Sequence, residues 1–172
     1  MIIADPYAGA VAAVGDLLSK LQLEFMFAGN LARAAWLGGG ITGGPIDVVA
    51  IMQPQQKSQI ATMASNNGFA VDREEVESAE ELDLVPLRWK GVRVHVLVAS
   101  NALYATMVRD AWFERIGEHD WRVPSREDLA LLLALSEDES ALRQITALPE
   151  FDRARYNEKA ISIGLRRCVI PS

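Results

Sequence analysis

The sequence predicts an α/β fold of the α+β kind, a mixed β-sheet flanked by helices and followed by a helical C-terminal part. Three observations predict it. Short apolar runs at residues 25–28, 46–52, 84–89 and 92–98 have strand length. Helical spacings are interleaved with them as far as residue 111, and from residue 125 onward every patterned segment is helical. The chain has 172 residues, half of them hydrophobic, which is enough for one well-buried core. The expected division is a core over residues 1–124 and a helical part over residues 125–172, packed together as a single compact domain.

Taken in order, residues 8–21 place Val11, Val14, Leu17, Leu18 and Leu21 at spacings of three and four, the apolar stripe of an amphipathic helix. Phe25, Met26, Phe27 and Ala28 are too few for a helix and rich in aromatics, so they read as a buried strand ended by Gly29. Asn30 is expected to cap a helix over residues 31–37, because its side-chain oxygen can accept from first-turn N–H groups. Gly38, Gly39 and Gly40 end that helix. Residues 46–52 form a β-rich strand interrupted only by Asp47, and an unpaired carboxylate in a buried run is strongly penalised.

Pro54 is expected to open a polar helix ending near residue 65, closed by the turn signal Asn66-Asn67-Gly68. Residues 84–89 and 92–98 are strand candidates joined by Lys90-Gly91, a hairpin spacing. In the second, Arg93, His95 and Leu97 share one face and the four valines share the other. Residues 102–111 read as a helix and 112–123 as an extended or hairpin connection. Ser125 is a candidate N-cap for a helix over 126–135, with Glu127 and Asp128 suited to the positive end of its dipole. Two more helices are expected over 139–148 and 152–167, the last ending in basic Arg166-Arg167.

Composition excludes several classes. Lys and Arg number 17 against 23 Asp and Glu, so the chain lacks the basic excess that broad nucleic-acid binding requires. Residues 72–83 hold seven acids and one base, which accounts for the whole net charge of -6 and reads as a solvated loop or helix face, with a partner surface as the alternative. No run approaches the ~18 apolar residues of a membrane span. A single cysteine, Cys168, and an opening MIIADPY without a secretory n-region lead to the expectation of a cytoplasmic protein.

Several short motifs, in order, resemble the nucleotidyltransferase superfamily, in particular its toxin-like and abortive-infection branch. Phe27-Ala28-Gly29-Asn30-Leu31-Ala32 resembles the family's apolar-Gly-Gly/Ser-x-Ala entry, and Trp36-Leu37-Gly38 the end of its first core helix. Pro45-Ile46-Asp47-Val48 aligns with Asp-x-Asp-apolar, residues 92–97 with the strand that carries a third Asp, and Pro124-Ser125-Arg126-Glu127-Asp128-Leu129 with the opening of a later helix. The resemblance implies a cleft where carboxylates hold Mg2+ and the metal holds an NTP. Here Pro45 stands for the first carboxylate, His95 for the third, Asn30 for a Gly or Ser, and Leu133 for a helix Lys. One Asp and one imidazole suit Mg2+ poorly, which favours several hard oxygens.

The candidate site is therefore Asp47 and His95 as catalytic residues, Asp47 as metal ligand, and Gly29 with Asn30 as nucleotide contacts. Each has a structural alternative. Asp47 pairs with Arg93, His95 or backbone donors, His95 is a hydrogen-bonded filler, and Gly29-Asn30 is an ordinary helix entry. Three functions follow. The first is a degenerate nucleotidyltransferase-like protein that still binds a nucleotide or phosphate ligand. The second is a noncatalytic interaction module with a protein partner or second copy, such as a toxin-antitoxin or regulatory subunit. The third is an active metal-dependent transferase with a nonstandard Asp/His site, completed by an acid from residues 72–83.

Overall fold

A four-stranded mixed sheet organises the first part of the chain, in a computed structural model that describes residues 2–53, 55–78, 83–165 and 170. Pro54 as a helix start, Glu80 and Glu81 of the acidic run, the Arg166-Arg167 helix end and Cys168 lie outside the described residues. The chain divides into two compact units, Met1–Val123 and Pro124–Ser172.

In the first unit the order is β1 (Ile2–Ile3), α1 (Tyr7–Lys20), β2 (Glu24–Phe27), α2 (Gly29–Leu37), β3 (Gly40–Ile41) and β4 (Ile46–Ile51). Then come α3 (Gln56–Asn66), α4 (Arg73–Ser78), β5 (Leu84–Trp89), β6 (Val92–Val98), α5 (Ala102–Arg109), β7 (Trp112–Ile116) and β8 (His119–Val123). The main sheet runs β2-β4-β6-β5, with β4 parallel to β6 and the other pairs antiparallel. This is the mixed α+β architecture expected from the sequence.

The registers separate the two faces. Phe25, Phe27, Val48, Ala50, Val94, Val96, Val85 and Leu87 lie on one face, and all are buried. Met26, Asp47, Val49, His95 and Leu97 lie on the other. Helix α1 buries the stripe Val11, Val14, Leu17 and Leu18, with Leu21 in the C-cap position. Full burial of a leucine stabilises the fold by about 1.5–3 kcal/mol. The indole of Trp121 rests on Phe27 and Phe25, with ring centroids 5.5 and 6.1 Å away. Gly15 of α1 makes room for it, since a Cβ there would lie 2.2 Å from the ring.

The β5–β6 hairpin turns on Lys90 (φ 46°) and Gly91 (φ 87°), the paired positive angles of a type I′ turn. The acidic run begins as α4, where Asp72 accepts from the N–H groups of Glu74 and Glu75 at 3.0 and 3.3 Å. Strands β1 and β3 pair in parallel, Ile2 with Gly40 and Ile3 with Ile41, a feature the sequence does not signal because two residues carry no periodicity.

The second unit holds α6 (Arg126–Leu135), α7 (Glu139–Thr146) and α8 (Arg153–Ser162). Ser125 caps α6 as expected, accepting from the Asp128 N–H at 3.1 Å while its hydroxyl donates to the Asp128 carboxylate at 2.9 Å. Asp138 and Asp152 cap α7 and α8. Helix α8 stops at Ser162, short of the expected residue 167. Gly164 adopts φ 81° there, and the N–H groups of Gly164 and Leu165 bond back to Ile161 and Ala160, a glycine-terminated end. Among the described residues no helix is long and apolar enough to cross a membrane.

Candidate functional site

Asp47 is the second residue of β4, and the buried partners on either side, Ile46 and Val48, turn its side chain to the opposite face. Its carbonyl accepts from the Ala28 N–H at 2.8 Å, so β2 ends where β4 begins. The next residue, Gly29, has φ 55°, and a Cβ built on it would lie 2.2 Å from Asp47 Oδ2. A glycine stands here because the chain turns directly against the carboxylate.

His95 is the register partner of Asp47 on the parallel strand β6. Its Nδ1 lies 3.1 Å from Asp47 Oδ1, and the two side chains are 29% and 26% exposed, so a ligand can reach both. With Asp47 ionised, Nδ1 carries the proton and donates to the carboxylate. Burial raises the Asp47 carboxyl above the usual carboxylate range, and the charge and hydrogen bond of His95 oppose this only in part.

That direction sets a pH dependence. The native Asp47 takes up its proton at higher pH than the unfolded chain does. Its contribution to stability therefore declines as pH rises from the ordinary carboxylate range through the raised native value, and the full penalty applies above it. Asp47→Asn should gain stability relative to the wild type over this window, in paired urea titrations from pH 4 to 7.5. A variant that loses ground as pH rises would show the opposite linkage.

Asn30 does not cap the helix. Ala28 holds the N-cap position with no side-chain bond, because β2 is held extended through Ala28 by its rung to Asp47, and α2 starts at Gly29. Asn30 instead lies exposed in the first turn with its Nδ2 beside Gly44, where a Cβ would approach to 2.8 Å. The Gly43-Gly44-Pro45 loop thus comes up against the helix entry. The first intrahelical bond is Ala32 N–H to the Ala28 carbonyl, so the N–H groups of Gly29, Asn30 and Leu31 belong to the unsatisfied first turn.

All four sequence-predicted residues are thus brought to one end of the sheet. Of the partners expected for Asp47, His95 is the one bonded to it. Arg93 is a further residue of interest that sequence reasoning treated only as a counter-ion. It lies exposed, two residues from His95 on the same face, and next to Val94, the register partner of Ile46 at the start of β4. The alternation in residues 92–98 was the signal that could have identified it.

Among the described residues the donors beside Asp47 do not fit Mg2+. Among the described residues no group of three His, Cys, Asp or Glu could hold a metal ion. Pro45 has no ligating side chain, and three described acids of residues 72–83 are engaged elsewhere: Asp72 caps α4, Glu75 pairs with Arg88 at 3.2 Å, and Asp83 pairs with Lys57 at 3.3 Å. One carboxylate beside an imidazole falls short of the octahedral oxygen set that Mg2+ demands. Trp89 packs on Phe69 and its register places it on the sheet face opposite Asp47, while Trp36 meets the ring of Trp112.

The chain matches no family model and no curated protein by sequence. Solved structures do resemble it. The crystal structure of ANT(2'')-Ia in complex with adenylyl-2''-tobramycin superposes with a TM-score of 0.52 at 14% identity, covering 94% of this chain and 92% of that one. The lincomycin-bound lincosamide antibiotic adenylyltransferase LnuA gives 0.53 at 10% identity, over 86% and 99% of the two chains. The solution structure of the antibiotic-resistance factor ANT(2'')-Ia gives 0.55 at 10% identity, over 94% and 89%. At such identities the likeness concerns the fold, and it agrees with the motif order in the sequence: the chain has a nucleotidyltransferase-like fold.

Proposed function

We propose that this chain is a nucleotidyltransferase-like protein with a degenerate metal motif, which binds a nucleotide or related phosphate ligand at the Gly29-Asn30 turn beside Asp47 and His95. The observation that carries the reading is the contact of the Gly29 backbone with the Asp47 carboxylate, itself hydrogen-bonded to His95. The structural neighbours named as an adenylyltransferase and as holding an adenylyl product support a nucleotide as the ligand. In this reading the first-turn N–H groups of α2 receive phosphate oxygens, aided by the helix dipole. Arg93 supplies positive charge on the same face as His95, two residues away. Asp47 accepts from a ligand hydroxyl when ionised and donates to a phosphate oxygen when protonated.

The test is titration of ATP and GTP by calorimetry, in Mg2+ and in EDTA. Binding should saturate in both buffers, persist in Asp47→Asn, and weaken by roughly tenfold in Arg93→Ala, the loss of one charge-assisted phosphate contact. Absence of heat and of any thermal shift at millimolar nucleotide would remove the reading. That outcome would favour an interaction module kept for its surfaces, for which the exposed Trp112 and Phe113 of β7 are the motivating observation. Strict Mg2+ or Mn2+ dependence, with labelled NMP transfer lost in Asp47→Ala, would instead point to an active enzyme with a nonstandard site.

A further inference from the structure

A concavity of about 380 Å3 lies in the first unit, on the α1 side of the sheet and away from Asp47. Its size is in the range of small-molecule sites. Val11 of α1 and Ile116 of β7, both buried, contribute an apolar floor. The indole of Trp121 forms a wall, its outer ring edge close to Gly15 and its plane tilted at 44° to the ring of His119, with centroids 5.7 Å apart. At the margin stand two exposed carboxylates, Asp5 and Glu118. No lysine or arginine is among the described residues that line the cavity, and no ion pair to Asp5 or Glu118 is formed among the described residues.

We propose that this cavity binds a small organic cation, an ammonium carried on an apolar body. The apolar floor takes the body, while the cationic head faces the indole of Trp121 and the two carboxylates. An aromatic face attracts a cation through its quadrupole, and the attraction grows as the cation loses water in a recess. Two negative charges at the margin, with no ion pair among the described residues, raise the local concentration of cations and repel phosphates and carboxylates. The charge thus selects one ligand class and separates this site from the one at Gly29-Asn30.

The probe is benzyltrimethylammonium, with benzyl alcohol as the uncharged aromatic control. The readout is the Trp121 indole N–H resonance in 1H–15N spectra of the full chain. The ammonium should give a saturable shift with a Kd of about 1 mM or below, and benzyl alcohol should give none at the same concentrations. Asp5→Asn combined with Glu118→Gln should weaken the ammonium by roughly tenfold, since two charge contacts are removed. Both substituted side chains are exposed, so the fold is expected to persist, checked by an unchanged urea midpoint. Failure of the ammonium to saturate, equal response to benzyl alcohol, or an unchanged Kd in the double variant would each overturn the proposal.

Discussion

Gly29→Ala is expected to cost about 2–4 kcal/mol of stability and to remove nucleotide binding, because two independent penalties meet at that position. The first is conformational: φ is 55° at Gly29, and an alanine held in the left-handed region is strained. The second is steric, since the new Cβ would fall 2.2 Å from Asp47 Oδ2. The carboxylate can escape only by turning away from His95, which breaks their 3.1 Å hydrogen bond and rearranges the site. Gly117→Ala separates the two effects. It shares a positive φ, 64°, but a Cβ there meets nothing within 4 Å, so only the strain of about 1 kcal/mol remains. Urea midpoints and ATP titration of both variants check this. Equal losses at positions 29 and 117, with ATP binding intact, would mean that the collision with Asp47 is relieved without consequence.

Lys159→Met should destabilise the protein by about 3 kcal/mol, the effect of leaving a buried carboxylate without its counter-charge. Asp128 on α6 is fully buried, and Lys159 on α8 reaches its Oδ1 at 2.5 Å. The Ser125 hydroxyl satisfies only the other oxygen. The side chain of Lys159 is 20% exposed, so water can relieve part of the loss and the effect should fall toward the lower end for such pairs. Adding Asp128→Asn to Lys159→Met removes the stranded charge and should restore part of the stability. Equilibrium urea unfolding of the three variants measures it, and a loss below about 1 kcal/mol in the single variant would show that the pair adds little.

The carboxylate of Asp128 illustrates what a linear reading misses. The sequence motif placed Glu127 and Asp128 in the first turn of a helix, where the dipole alone explains them. The structure adds that Glu127 accepts from the Asp152 N–H at 3.0 Å and that Asp128 anchors α8 to α6. These partners lie 25 and 31 residues away, a separation at which no local periodicity carries information. Helix α8 shows the converse: the expected end at residue 167 gave weight to a basic pair, whereas Gly164, with its positive φ, ends the helix earlier.

At the candidate site the division runs the same way. The sequence by itself determined the strands around Asp47 and His95, the glycine turn at 29, and the face each strand residue occupies. Those features follow from a period of two and from the conformational freedom of glycine, both local properties. Only the tertiary structure decided that β4 lies parallel to β6 with Asp47 opposite His95, and that Asn30 turns toward Gly44 and leaves the cap to Ala28. Strand order and register depend on how separate segments bury their apolar faces against one another, and the partner of a carboxylate is chosen by that packing.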